Sequence, residues 1–135
     1  MGTALMLRLR STQEVEQFEN AFLCPFSRVF NATQLLDDMA QRLGVTKPSA
    51  FYAMDPDEAA AMLEEIGLDT SSVPQIVWHS VDDGLKTVAA LEANVDSLDC
   101  PPEYRNELRA ELGLLKPLFA HVAGMGATFY FHMDY

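Results

Sequence analysis

Two alternating stretches, one near each end of the chain, constrain this sequence most. Thr3 to Arg10 puts Leu5, Leu7 and Leu9 on one side and Met6, Arg8 and Arg10 on the other. Thr128 to Tyr135 puts Phe129, Phe131, Met133 and Tyr135 on one side and Tyr130, His132 and Asp134 on the other. A period of two is the period of a strand with one covered face. The helical patterns lie between these stretches, so the terminal strands are expected in one small sheet with helices packed against it.

The helix starts are legible. A capping box sets a short polar side chain three residues before an acid or amide, and each satisfies an orphan backbone N–H. Ser11 to Glu14 predicts a helix with Val15, Phe18 and Phe22 inward. Asn31 to Gln34 predicts one with Leu35, Leu36, Met39 and Leu43 inward, stopped by Gly44. Asp55 to Glu58 predicts a third, with Pro56 in its first turn, Ala59, Met62, Leu63 and Ile66 as its apolar face and Gly67 at its end. Ser80 to Asp83 predicts a fourth, running to about Leu98 on a stripe of Leu85, Val88, Leu91, Val95 and Leu98, slightly weakened by Gly84. A fifth follows Asp99-Cys100-Pro101-Pro102, with Tyr104, Leu108, Leu112 and Leu115 inward and a kink or break at Pro117. Ala50 to Met54 and Gln75 to His79 are shorter strand candidates. The expected class is α+β: a mixed sheet of three or four strands, about five helices, and the order β-α-α-β-α-β-α-α-β. A length of 135 residues fits one domain, 1–135, large enough to bury a core without disulfides or metal.

Charge is divided along the chain. Residues 1–54 hold five acids and five bases, whereas residues 55–135 hold fifteen acids and four bases, which leaves the net −11 there. Between Asp55 and Glu103 the only base is Lys86. Such a field repels phosphate backbones, so no nucleic-acid partner is expected. It favours a basic protein surface, with Glu64, Glu65, Asp82 and Asp83 as the candidate partner-binding face, and it also keeps a small protein dispersed. No apolar run is long enough to span a membrane, and the first residues do not read as a signal peptide. Two cysteines, Cys24 and Cys100, are too few for a disulfide framework, so a cytoplasmic setting is expected.

Motifs for chemistry are weak. His132 and Asp134 are spaced as a strand pair of ligands, with His79, Asp82, Asp83 and His121 as further ligand types, but nothing completes a metal site. Neither a metal nor a cofactor is expected, and His132 reads as partly exposed on an edge or terminal strand. Cys100 at a helix start has acids beside it that oppose a reactive thiolate. The carboxylate pairs read as solvated helix faces. Phosphate-binding glycine loops are absent, and Gly124 to Thr128 reads as a turn. Tyr52, His79, Tyr130 and His132 fall on strand candidates and, on one shared sheet face with Asp134 nearby, would form an amphipathic pocket. Two function classes follow. One is an interaction or accessory protein acting through the acidic surface of residues 55–103. The other is a small-molecule-binding protein or hydrolase using the pocket, with its catalytic residues unknown. Phe18, Phe22, Phe26 and Phe30 recur every four residues, so a homo-oligomer interface is a further expectation, opposed by Pro25.

Overall fold

The structure, a computed structural model, describes residues 4–11, 25–54, 56–68 and 76–134. The order is β1 (Ala4–Arg10), α1 (Ser27–Asn31), α2 (Thr33–Leu43), a 3-10 turn (Pro48–Phe51), β2 (Tyr52–Ala53), α3 (Pro56–Glu65), β3 (His79–Ser80), α4 (Val81–Ala93), a second 3-10 turn (Val95–Ser97), α5 (Pro102–Val122) and β4 (Thr128–Asp134). The class is α+β, with a mixed four-stranded sheet and five helices among the described residues. Among the described residues the order of symbols coincides with the expectation, although the helices it counts are not all the expected ones. The helix expected from Ser11 lies outside the described residues, and the short α1, which the sequence reading did not include, precedes α2.

Strand β4 organises the sheet. It pairs antiparallel with β1 along its whole length, from Ala4 opposite Asp134 to Arg10 opposite Thr128. Its other edge is shared end to end: β2 pairs parallel at Phe131 and His132, and β3 pairs antiparallel at Phe129 and Thr128. The strand candidate 50–54 therefore shrinks to Tyr52–Ala53, and of the candidate 75–79, whose Gln75 lies outside the described residues, only His79 joins a strand, with Ser80 after it. Pro48 starts a 3-10 turn, which takes up Ala50 and Phe51, and the Asp37 carboxylate ties that turn by accepting from Ser49 N–H and Oγ at 3.1 and 2.6 Å. The free edge of β1 is met by the chain before α1, where Phe26 N–H donates to Leu5 C=O at 2.9 Å.

Opposed residues in a sheet share a face. Leu5, Leu7, Phe129 and Phe131 therefore lie together, buried beneath α1, α2, α4 and α5. Phe26 meets Phe131 edge-on at 6.0 Å, and Phe30 stacks on Tyr52 at 6.1 Å. These two rings serve the interior rather than a phenylalanine stripe; Phe18 and Phe22 lie outside the described residues.

Helix α4 starts as expected. The Ser80 hydroxyl accepts from Asp82 N–H at 3.1 Å, and Asp82 and Asp83 occupy the first turn, where the helix dipole favours them. It ends at Ala93, not near Leu98. The Asn94 side chain takes the Ala90 carbonyl at 2.8 Å, and a 3-10 turn carries Val95 into the core. Gly84 is not a mere weak point. A Cβ there would lie 2.5 and 2.6 Å from carbons of the Phe129 ring and 3.0 Å from Phe119, so the glycine admits β4 against the helix.

Three further expectations change. Asn31 closes α1 rather than capping α2, whose N-cap is Ala32 with no side-chain bond. The cause is distant: the Glu111 carboxylate of α5 accepts from Arg28 and Val29 N–H at 3.1 and 3.0 Å, which starts a helix earlier in the chain. Burial holds that carboxyl above its ordinary range despite both bonds. The inward face of α2 is Leu36, Met39 and Ala40, with Leu35 and Leu43 exposed; Gly44 ends it in the left-handed region at φ 75°. Helix α5 is continuous through Pro117. That proline and Gly113, four residues before it, both face solvent, so water can satisfy the carbonyl that loses its partner.

Gly84→Ala is expected to destabilise the protein by about 1–3 kcal/mol through overpacking against Phe129. In an exposed helix the same change stabilises by about 1 kcal/mol. Urea unfolding reads the sign directly.

Candidate functional site

The sheet's parity divides the candidate residues. Tyr52 sits opposite Phe131 and His79 opposite Phe129, so both belong to the helix-covered face. Tyr130 and His132 alternate with those phenylalanines and belong to the other face. The expectation that all four share a face is not met, because strands of two residues carry no periodicity to fix it. Asp134 pairs through its backbone with Ala4 at the end of β4.

On the second face, Trp78 meets Tyr130 edge-on at 4.9 Å. The Arg10 guanidinium lies 4.0 Å over the indole and donates to Thr128 Oγ1 at 3.4 Å. His132 is buried on a central strand, not exposed on an edge. Its Nε2 lies 3.8 Å from the exposed Glu58 carboxylate of α3. Tryptophan, tyrosine and arginine here form a packed stack rather than an open cleft.

On the first face, His79 packs edge-on against Phe51 at 5.1 Å and lies 6.5 Å from Phe129. The Tyr52 and Thr33 hydroxyls are 3.0 Å apart, and Thr33 also donates to Phe30 C=O at 2.6 Å. Burial pushes the Tyr52 phenol up to about 12; the Thr33 bond opposes this and the Asp37 charge adds to it. Between the β2 and β3 segments lies a cavity of about 410 Å³. Ala50, Tyr52, Ala53, Met54, Ala59, Val77, His79 and Met133 line it. Two sequence candidates, Tyr52 and His79, reach it. Its methionines and alanines were missed, since an apolar wall carries no motif.

The acidic candidates fall on two helices. Glu64 and Glu65 are exposed at the end of α3, and Asp82 and Asp83 are exposed at the start of α4. Asp82 is also occupied, its Oδ1 accepting from Gly124 N–H at 3.1 Å. The turn it ties has Gly124 and Gly126 at positive φ, as expected for that stretch. Among the described residues no three His, Cys, Asp or Glu side chains are grouped to hold a metal ion. Several described hydroxyls have structural partners: Ser49 bonds Asp37, Ser80 caps α4, Ser97 bonds Asn94 C=O and Thr87 bonds Thr46 C=O. None of these four bonds pairs a hydroxyl with a histidine, one of the general bases that activate such a group.

Helix α3 is the unusual element. None of its residues is buried. Met62, Ile66 and Leu68 are 53, 67 and 57% exposed, and Val77 is 62% exposed. The predicted face of Ala59, Met62, Leu63 and Ile66 is real as a pattern but covered by no described element deeply enough to bury it. No described helix is long and apolar enough to cross a membrane. Comparison with protein-family models, curated proteins and solved structures finds no match.

Tyr52 makes stability sensitive to alkali. The unfolded phenol ionises near 10.0 and the folded one near 12, so the folded chain holds this proton longer. That contribution is complete below the unfolded value and is lost as pH rises towards the folded one. Urea unfolding at about pH 9 and about pH 11.5 is expected to show a loss in the native protein that Tyr52→Phe reduces.

Proposed function

We propose that this is an interaction or accessory protein that docks a basic, amphipathic segment of a partner protein on α3. The observation that carries the reading is the uncovered apolar ridge of α3, set among acids. Met62 and Ile66 are one turn apart, the spacing by which helix faces are recognised in grooves. Leu68 continues the ridge past Gly67. Asp57, Glu58, Glu64 and Glu65 are all exposed around it, and the helix carries no base. An apolar patch with a charged rim is the usual make-up of a protein-binding surface. Methionine suits it, because a flexible thioether adapts to a partner's shape.

Charge supplies the rest of the specificity. With Lys86 the only base from Asp55 to Glu103, the field along this half of the chain steers cations and repels anions. Asp82 and Asp83 contribute to that field from α4 while serving its N-terminus. A cytoplasmic setting accompanies this reading, supported by the low cysteine content and by Cys100 as a free thiol.

A helical peptide of leucines and lysines, followed by fluorescence anisotropy, tests the proposal. Ile66→Lys and the pair Glu64→Lys, Glu65→Lys are each expected to weaken it about tenfold or more, and added salt to weaken it further. Equal affinity for a leucine and glutamate peptide, or for the variants, would overturn the proposal.

A further inference from the structure

The cavity between the β2 and β3 segments is lined mainly by apolar side chains. We propose that it is a binding site for an uncharged aromatic or alicyclic molecule of about ten to fifteen heavy atoms bearing one hydroxyl or carbonyl group. The reading is independent of docking on α3 and rests on different side chains.

Size comes first. A volume of about 410 Å³ falls within the span of small-ligand pockets, roughly 300–1,000 Å³, and far exceeds the space one water needs. Its origin is topological. Two strand segments pair with one edge of β4 and run in opposite directions relative to it, β2 parallel and β3 antiparallel. Their chains diverge beyond the paired residues, and small side chains at Ala50, Ala53 and Ala59 leave the space between them open.

Chemistry comes second. Among the described residues the lining holds no lysine or arginine to meet a phosphate or a carboxylate, and no aspartate or glutamate to meet a cation. Met54, Met133 and Val77 offer polarisable and apolar contact, which favours a ring. Two polar tips are present. The Tyr52 hydroxyl is already engaged with Thr33. The His79 ring is held by Phe51 and Phe129, and among the described residues no side-chain hydrogen bond is made to it. An imidazole presents a donor and an acceptor edge, so it can meet either a carbonyl or a hydroxyl. Among the described lining residues, His79 thus becomes the polar group that fixes the ligand's orientation.

The methionines make the test direct. The probes are 1-naphthol and, as an anion on the same ring, 1-naphthoate, titrated into protein labelled at the methionine methyl groups. Saturable shifts are expected at Met54 and Met133, with Met39 in the core and Met62 and Met125 on the surface unmoved. Ala59→Leu, which fills the mouth from α3, and His79→Phe, which keeps the ring but removes its nitrogens, are each expected to weaken naphthol about tenfold. An unchanged Met39 signal certifies that a variant is folded, and if one variant fails this check the other decides. Naphthoate binding as tightly as naphthol, shifts as large at Met62 and Met125, no saturable shift, or affinity unchanged by the substitutions would each overturn the assignment. Peptide docking on α3 reports at Met62, so failure of one reading is distinguishable from failure of the other.

Discussion

The close approach of α4 to β4 at Gly84 is the contact on which the rest of the structure depends. Phe129 lies against that glycine, and it also touches Phe119 of α5 at 4.7 Å, Phe51 of the 3-10 turn at 4.9 Å and Phe131 at 5.5 Å. One ring therefore joins two helices, a turn and the central strand. Its neighbours along β4 recruit the remainder: β1 on one edge, β2 and β3 on the other. A side chain at position 84 would push the helix outward and open the densest part of the core, where packing tolerates little change in volume.

Legibility in the sequence followed the range of the interactions. The terminal strands were readable because seven alternating residues form each of them, and both were found within one residue of their expected ends. The cap of α4 was readable because Ser80 and the N–H it satisfies are two residues apart. The start of α1 was not, because its cap is Glu111, more than eighty residues away. Gly84 looked like a weak helix position because its reason is a ring on β4. The four pocket candidates divide between the two faces of the sheet. Tyr52 and His79 reach a cavity, whereas Tyr130 and His132 lie on the reverse of the sheet, and only the register against β4 decides this. The apolar face of α3 was legible as a pattern, but no pattern says whether a face is covered.

Charge and exposure together give the molecule two unlike halves. Many acids near α5 have internal duties: Glu107 pairs with Arg28, Asp96 with Arg109, Glu92 with Lys116, and Glu111 ties α1. Those contacts close the helical layer over the sheet. Glu64 and Glu65 of α3 differ, because they flank an apolar ridge. A helix that buries none of its residues contributes little to the core and leaves its face available.

Hydrogen exchange of backbone amides tests this division most directly, since it reads local opening residue by residue. The account predicts the slowest exchange in β4, around Phe129 to Phe131, and exchange at least about a hundredfold faster along α3. Protection of α3 equal to that of β4 would contradict it, because α3 would then belong to the core and not to a docking surface.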